Sequence, residues 1–379
     1  MAFPSVSFYT NAYFLHRLLH ASVFVFLTAL SASAQLCQLQ SLGTLPGGQN
    51  SVAFAVNNRG QIVGYSNTAP PSSAPHAVKF GDAGPVDLGT LEGGTFSYAL
   101  GINNRGQIVG NSGTSSGRAH AFLLTGGVMK DLGTLPGGGS SSATAINDNG
   151  QIVGYATAAS NETHAVLYQQ GVMSDLGTLP GGDFSEATGI NNLGQIVGYS
   201  TSNAGVHAFV YFNEAMIDIG TLGGNLSNAT GINGAGQIVG LSTPLSNSPA
   251  LAFLYSDGSM NTLGTLTSGS FQYSKAAGIN SYADIVGESS VASGVTHAFI
   301  WRGGVMTDLG TLPGSTYSTA VAINDQGLVV GSSTIANPTR TTAVVCRPAL
   351  RQGKIPADSP SLSRNRIQRQ QGPGSSPAR

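Results

Sequence analysis

Charged side chains are scarce in this chain. Lys, Arg, Asp and Glu make up 9% of its 379 residues, against about 25% in ordinary globular proteins. Gly, Ser, Thr and Asn are abundant instead, a composition that favours turns and β-strands over long amphipathic helices. A chain of this length holds either two or three ordinary domains or one closed array of small units.

Positive charge is lacking over most of the sequence. Residues 35–347 contain 9 basic and 16 acidic side chains, a net charge of −7, whereas residues 348–379 contain 6 basic and 1 acidic. The larger segment therefore lacks the basic surface that a phosphate backbone requires, and we expect no nucleic-acid partner. The basic segment 348–379 has almost no apolar residues, which predicts a disordered tail.

Long apolar runs are also missing. The stretch Ala21–Leu30 is shorter than the roughly 20 residues of a membrane span, and no later stretch qualifies. Arg17 precedes it and the A-x-A sequence ending at Ala34 follows it, which is typical of a secretory signal. We therefore predict a signal peptide at 1–34, cleavage between Ala34 and Gln35, an extracellular mature chain and no membrane span.

Motifs for catalysis, metal ions and cofactors are absent. The sequence has no HExxH, CxxC or EF-hand spacing, and no G-x-S-x-G elbow or phosphate-binding P-loop. We predict no cofactor and no metal site, and no catalytic residue stands out.

A repeat occupies most of the chain. Leu-Gly-Thr-Leu, once Ile-Gly-Thr-Leu, recurs at steps of 43–46 residues and begins at Leu42, Leu88, Leu132, Leu176, Ile219, Leu263 and Leu309. Each unit is interpreted as four short strands with the patterns A-x-[AG]-[IV]-N, Q-I-V-G, H-A-F or H-A-V, and D-L-G-T-L. Seven such units predict an all-β, seven-bladed β-propeller of four strands per blade over residues 35–347.

The chain ends indicate how this array closes. The N-terminal side supplies only a fourth strand, Gln38–Leu45, and the C-terminal side supplies only the first three strands, ending at Thr342–Cys346. Together the two fragments make one unit, so the last blade is closed by the N-terminal outer strand. A β-solenoid is the main alternative, but it would need capping repeats.

The histidines of the third strand covary with an aspartate of the fourth. A two-residue turn at the fifth and sixth residues after each His would place it directly opposite the Asp. The predicted pairs are His76 with Asp87, His120 with Asp131, His164 with Asp175, His207 with Asp218, and His297 with Asp308. The other two units lack both residues, having Leu251 with Thr262 and Thr342 with Ser41, which indicates direct contact. Because one catalytic site needs one His, we interpret the recurring pairs as structural.

The two cysteines follow the same register. Cys37 and Cys346 would face each other where the other units have a covalent turn. We predict a disulfide bond between them, with two free buried thiols as the alternative.

The turn after the first strand carries a further signal. An Asn ends each first strand and is interpreted as a turn former rather than a ligand; these are Asn57, Asn103, Asn147, Asn191, Asn233, Asn280 and Asn324. Gly occupies a later turn position in six units, but Ala283 replaces it in one. A left-handed Ala costs roughly 1–2 kcal/mol, so we predict a strained or different turn at 280–284.

The loops that lead into the first strands vary most. They carry the residues we predict to bind an extracellular ligand, Phe96, Tyr98, Asp183, Phe184, Phe271, Tyr273 and Tyr317. Exposed aromatics among polar groups suit a sugar or a peptide, although aromatics packed between blades are the alternative. An enzyme would instead use charged residues that break the repeat, Glu92, Asp183, Glu186 and Lys275.

The motifs H-A-F, D-L-G-T-L, A-x-G-I-N and G-Q-I-V-G, repeated in order from Leu39 to Val345, resemble the HAF family of extracellular repeat proteins. Their strand order is also similar to that of NHL-type propellers. The resemblance implies a secreted or surface protein of bacteria and supplies no catalytic residues. We expect a monomeric, non-catalytic binding or scaffold module for a glycan or protein, with a secreted lyase or hydrolase and an envelope or matrix protein as the alternatives.

Overall fold

Short alternating patterns and frequent turn residues make each unit a small antiparallel sheet. The computed structural model describes residues 37–269, 272–336 and 339–347. The predicted signal peptide 1–34, the tail 348–379 and Phe271 lie outside the described residues. The part of the chain that the structure describes contains strands and turns but no helix.

Numbered along the chain, the strands are β1 (Gln40–Ser41); β2 (Ser51–Val56), β3 (Ile62–Asn67), β4 (Pro75–Gly81) and β5 (Gly84–Asp87); β6 (Ser97–Ile102), β7 (Ile108–Gly113), β8 (Ala119–Thr125) and β9 (Val128–Asp131); β10 (Ser141–Ile146), β11 (Ile152–Thr157), β12 (Thr163–Gln169) and β13 (Val172–Asp175); β14 (Ser185–Ile190), β15 (Ile196–Ser202), β16 (Gly205–Phe212) and β17 (Ala215–Asp218); β18 (Ser227–Ile232), β19 (Ile238–Ser242), β20 (Leu251–Ser256) and β21 (Ser259–Gly264); β22 (Ser274–Ile279), β23 (Ile285–Ser290), β24 (Thr296–Arg302) and β25 (Val305–Gly310); and β26 (Tyr317–Ile323), β27 (Val329–Ala336) and β28 (Thr339–Cys346).

These strands form seven four-stranded antiparallel sheets in the described residues, which confirms the predicted seven-bladed β-propeller. Six sheets, which we call blades 1 to 6, use consecutive strands. Blade 7 has the order β1-β28-β27-β26, so the N-terminal strand closes the ring as predicted. Within the same residues, no helix is long and apolar enough to cross a membrane.

The core lies between neighbouring sheets. The cluster between blades 1 and 2 is typical, with Val63 and Ala77 of the first blade against Ala99 and Phe122 of the second, all fully buried. The Phe of the H-A-F motif is fully buried in four blades, at Phe122, Phe209, Phe253 and Phe299. Burial of such a ring contributes about 1.5–3 kcal/mol, so the third strands anchor adjacent blades.

A buried serine at the start of each inner strand ties that strand to the preceding blade. Ser97 accepts a hydrogen bond from the main-chain N–H of Ala77 at 2.8 Å and donates one to the carbonyl of Gly89 at 2.6 Å. The same two bonds recur at Ser51, Ser141, Ser185, Ser227, Ser274 and Ser318. Small polar side chains are required here because the inner strands crowd around one axis.

The predicted register of the outer hairpins is wrong by two residues. Asp175 pairs across the strands with Val166 rather than with His164, and Gln169 pairs with Val172. The turn residues are therefore the sixth and seventh after the His. In blade 3 they are Gln170 and Gly171, both with positive φ, which is the type I′ turn that suits the twist of a hairpin.

The His and Asp side chains nevertheless meet, as diagonal neighbours on one face of the sheet. His164 Nδ1 lies 2.8 Å from Asp175 Oδ2, and Asp175 Oδ1 accepts a hydrogen bond from Gly177 N at 2.7 Å. Equivalent contacts of 2.6–2.9 Å join the His–Asp pairs of four other blades. In the two blades without this His, Thr262 and Ser41 stand in place of the Asp. Each side chain still accepts the hydrogen bond from the main-chain N–H two residues later, which belongs to Gly264 and Gly43 respectively.

Cys37 and Cys346 form a disulfide bond, with their Cα atoms 5.7 Å apart, which confirms the predicted pairing. Their register is also shifted by two residues, because Gln40 pairs with Val345 and Ser41 with Val344. The bond therefore joins diagonal neighbours at the seam between the chain ends.

The asparagines that end the inner strands do more than form turns. Asn147 Oδ1 accepts hydrogen bonds from Asn149 N and Gln151 N, which closes the turn, while its Nδ2 donates to Asn191 O of the next blade at 3.0 Å. The same inter-blade bond occurs at all seven asparagines and closes a ring. Sequence reasoning missed this second role, because nothing local signals a contact about 44 residues away.

The turn that contains Ala283 has the same hydrogen bonds as the others, and Ala283 has φ of +60°. The turn is therefore strained at Ala283, but its main-chain hydrogen bonds are those of the other turns.

Candidate functional site: the entrance of the central channel

The seven inner strands surround a channel of about 260 Å³ in the described residues. Isoleucines line it near the ends of these strands, for example Ile102, Ile146 and Ile190. The asparagine ring follows directly after these residues in sequence and surrounds that end of the channel. We call the opposite end of the propeller axis, where the inner strands begin, the entrance.

One position of the repeat lies at this entrance. The fourth residue of the inner strands reaches the channel, as Leu100, Thr144 and Ala277 show. Each inner strand has a β-bulge after the Ala that precedes this position, and the second residue lies on the other side of the bulge, two positions nearer the entrance. We call the seven residues at this position the entrance ring, which consists of Val52, Tyr98, Ser142, Glu186, Asn228, Lys275 and Thr319.

The entrance ring is a variable position between two invariant ones. Its seven members are seven different amino acids, yet the residue before each is Ser in all seven units and the residue after each is Ala. The invariant neighbours are fully explained by the packing between blades. The variable position is held by the same scaffold in every blade, so packing alone gives no reason for its diversity.

Each member of the ring faces a residue of the second strand, which we call its strand partner. The strand partners are Tyr65, Asn111, Tyr155, Tyr199, Leu241, Glu288 and Ser332. Strand partners also touch the ring member of the following blade, since Tyr65 packs on Tyr98 and Asn111 donates to Ser142 at 3.0 Å. We call the ring members and their strand partners together the entrance band, and these two contacts join its members across blades 1 to 3.

Blades 1 and 2 make one side of the entrance aromatic. The rings of Tyr65 and Tyr98 are 5.1 Å apart and edge to face, with Phe54 5.8 Å from Tyr65 and Phe96 6.2 Å from Tyr98. Burial raises the pKa of both tyrosines, so their hydroxyls stay neutral. The structure therefore brings together two predicted ligand residues, Phe96 and Tyr98, and adds Phe54 and Tyr65.

Blade 4 places a carboxyl group at the entrance. Tyr199 Oη donates to Glu186 Oε2 at 2.8 Å, and the ring of Phe184 lies 5.7 Å from that of Tyr199. Burial raises the pKa of Glu186, against the smaller opposing effect of the tyrosine hydrogen bond. Burial and the nearby carboxylate raise the pKa of Tyr199 far above its ordinary value.

Blades 5 and 6 continue this polar side. Tyr273 Oη donates to Glu288 Oε1 at 2.9 Å, and Lys275 is the direct cross-strand partner of Glu288. Asn228 lies between Glu186 and Lys275 in the ring. Its Oδ1 is buried and has no hydrogen-bond partner among the described residues.

The other predicted residues lie outside this band. Asp183 is exposed and accepts a hydrogen bond from Thr201 Oγ1 at 2.9 Å, and Glu92 is exposed in an inter-blade turn. Tyr317 is 42% exposed at the rim of blade 7. Among the described side chains no group of His, Cys, Asp or Glu is placed to hold a metal ion, and the five histidines lie on five separate third strands.

Sequence reasoning missed Tyr65, Asn228, Tyr199 and Glu288. The signal for Asn228 is the variable position between an invariant Ser and an invariant Ala, whereas the other three each follow the Gly of I-V-G on the second strand. Both signals become informative once those positions are placed at the channel entrance.

The fold and this entrance define a seven-bladed β-propeller with an asymmetric channel opening. No family model and no curated protein matches the chain. Among solved structures it is similar to a puromycin-hydrolyzing peptidase of Mycobacterium tuberculosis, at a TM-score of 0.53 and 9% identity over 82% of this chain and 54% of that one. It thus spans about half the length of that peptidase.

Two further solved structures show weaker similarity. A puromycin hydrolase has a TM-score of 0.49 and 12% identity, over 85% of this chain and 57% of that one. The six-bladed fungal lectin of Aleuria aurantia has a TM-score of 0.39 and 14% identity, over 73% of this chain and 100% of that one. At such identities the similarity shows the fold alone.

Proposed function

We propose that this protein is a secreted, non-catalytic binding module that holds a glycan at the entrance ring. The observation that carries the proposal is the placement of seven different residues at one repeat position between invariant neighbours. A scaffold with seven equivalent blades imposes the same demands on each blade. A ligand lacks that symmetry, so the residues that contact it must differ.

The chemistry of the entrance suits a sugar. Tyr65 and Tyr98 offer flat apolar rings on one side, while Glu186, Asn228 and Lys275 offer hydrogen-bonding groups on the other. Binding sites commonly combine apolar walls with a few placed polar groups. Sugar rings have an apolar face and many hydroxyls, so they complement both sides.

Secretion is part of the proposal. It is supported by the predicted signal peptide at 1–34 and by the Cys37–Cys346 disulfide, since disulfides persist in oxidising compartments. Membership of the HAF-type extracellular repeat proteins is supported by the ordered motifs of the seven units. Monomeric behaviour is part of the same proposal, and an envelope or matrix protein would instead self-associate.

A hydrolase is the second candidate, because Glu186 is a partly buried carboxyl group that accepts a hydrogen bond from Tyr199 Oη at 2.8 Å. Burial raises its pKa, and enzymes raise the pKa of a general acid in the same way. Incubating the purified protein with each oligosaccharide that it binds, followed by product analysis, tests this candidate. Release of shorter sugars that is abolished in Glu186→Gln would establish an enzyme.

Glycan and peptide arrays probed with the purified protein test the proposed binding. Tyr98→Ala should weaken binding about tenfold, since an aromatic contact contributes roughly 0.5–1.5 kcal/mol beyond area burial. Tyr282→Ala, in the turn at the opposite end of the channel, is the matched control and should bind as the wild type does. Undiminished binding by Tyr98→Ala would place the site elsewhere, and binding confined to peptides would replace the glycan as ligand.

A further inference from the structure

The charges at the entrance are unevenly balanced. Three residues of the entrance carry a charge: Glu186 and Lys275 in the ring, and Glu288 among the strand partners. Lys275 and Glu288 are direct cross-strand partners, and opposite charges in such pairs stabilise each other. The cross-strand partner of Glu186 is the neutral Tyr199. The three residues therefore carry a net charge of −1, and Glu186 is the carboxyl group that has a neutral cross-strand partner.

The fold does not require a carboxyl group at this point. The other six blades have six other residues at the same ring position, and their blades pack in the same way. Among the described residues no Lys, Arg or His lies within ion-pair distance of Glu186, while its surroundings are buried enough to raise its pKa. Burying a carboxylate without a positive partner is costly, and a bound cation would remove that cost.

Asn228 supplies a second acceptor on the same side. It is the next member of the ring, and β15, which carries Tyr199, packs against β18, which carries Asn228. Its Oδ1 is buried without a hydrogen-bond partner among the described residues. An unpartnered buried acceptor costs about 1–3 kcal/mol. A donor on the ligand would satisfy it.

Aromatic rings complete this side of the entrance. Phe184 and Tyr199 lie together, with centroids 5.7 Å apart, and the faces of such rings attract cations. The propeller segment 35–347 has a net charge of −7, which draws positive ligands toward its surface.

From these observations we infer that the ligand carries a protonated amino group, as an oligosaccharide of glucosamine does, held by Glu186 and Asn228. An ammonium has three donors and no acceptor, so it matches two acceptors beside aromatic faces. This inference rests on the proposed function, because it names the class of glycan that the same entrance takes.

The test compares two probes with the same sugar backbone, one with protonated amino groups and one in which these groups are acetylated and neutral. Titration calorimetry of the full protein uses a glucosamine hexasaccharide and its fully N-acetylated counterpart, at a mildly acidic pH that keeps the amines protonated. The glucosamine probe should bind at least tenfold more tightly than the N-acetylated probe, and added salt should weaken the binding of the glucosamine probe. Glu186→Gln should lower the affinity for the glucosamine probe about tenfold or more, since hydrogen bonds to charged groups are the stronger class. Its affinity for the N-acetylated probe should not change.

Glu214→Gln, an exposed carboxyl in the outer hairpin turn of blade 4, is the matched control and should bind as the wild type does. Thermal unfolding confirms that both variants are folded. Equal binding of the two probes, or an unchanged affinity in Glu186→Gln, would overturn the cationic ligand while leaving the glycan site intact. Tighter binding of a lysine-containing peptide than of either sugar would overturn the amino sugar, and so would binding of neither sugar. The weakening of array binding in Tyr98→Ala remains the separate check on the site itself.

Discussion

Asn324 donates its side-chain amide to the main-chain oxygen of Asn57 at 2.9 Å, across 267 residues of sequence. This bond joins blade 7 to blade 1 and completes the ring of seven asparagine bonds. The asparagines are 3–5% exposed, so each lost bond leaves buried polar groups unsatisfied. The ring therefore stabilises the closed state of the propeller.

Replacing one asparagine of the ring should destabilise the whole molecule. Asn147→Ala removes one inter-blade donor and two turn acceptors, and we expect a loss of about 2 kcal/mol in the free energy of unfolding. Urea denaturation measures it. Asn203→Ala, an exposed loop residue, should change stability by less than about 0.5 kcal/mol, and equal effects of the two variants would refute the role of the ring.

The two members of each His–Asp pair should contribute unequally to stability. Asp175→Ala removes both the contact with His164 and the bond from Gly177, and we expect a loss of about 1–2 kcal/mol, against about 0.5–1 for His164→Leu. Asp175→Thr combined with His164→Leu reproduces the Leu251–Thr262 arrangement of blade 5. This double variant should be more stable than Asp175→Ala in urea denaturation, because Thr keeps the bond to the glycine.

The disulfide should add substantially to stability because it closes a very long loop. Cys37 and Cys346 are 309 residues apart, for which chain-entropy estimates give about 5 kcal/mol. Replacing both residues by serine should lower the free energy of unfolding by an amount of this order. A double-serine variant as stable as the wild type would show that β1 is held at the seam by its strand pairing alone.

Ala283 offers a stabilising substitution. Its φ of +60° is accessible to glycine without strain, so Ala283→Gly should stabilise the protein by about 1 kcal/mol in thermal or urea unfolding. Ala235→Gly, in the equivalent turn of blade 5, is the control. Since Ala235 is not among the residues with positive φ, that change should be neutral or destabilising.

Glu186 predicts a dependence of stability on pH. Burial raises its pKa in the folded state, so the folded protein holds this proton more tightly than the unfolded chain. Stability is unaffected below the ordinary glutamate pKa and falls as the pH rises through the folded value. Glu186→Gln should therefore be more stable than the wild type at neutral pH, and the difference should vanish in acid. A difference that is independent of pH would contradict this account.

The hairpin register shows where sequence reasoning reached its limit. Covariation correctly indicated that His164 meets Asp175, but it did not distinguish direct from diagonal neighbours. Turn chemistry would have resolved the choice, because a type I′ turn needs positive φ at both central residues and Gly126 with Gly127 in blade 2 meet that need. The same shift of two residues then follows for the cysteines.

The ligand residues show a different limit. Phe96 and Tyr98 lie in the entrance region, as their place before and in the inner strand indicates, whereas Asp183 and Glu92 are exposed elsewhere. Tyr65 joins Tyr98 in the proposed site only because blade 1 packs against blade 2. No pattern within one unit reveals that contact.

The sequence by itself determined the number of blades, the strands within each, the closure by the N-terminal strand and the disulfide at the seam. These follow from local periodicity, turn residues and the order of the repeats, which act over a few residues at a time. Only the tertiary structure decided that the asparagines form a closed ring and that Glu186, Asn228 and Tyr98 share one opening. Such contacts depend on the packing of seven sheets around an axis, which brings together residues about 44 positions apart or more.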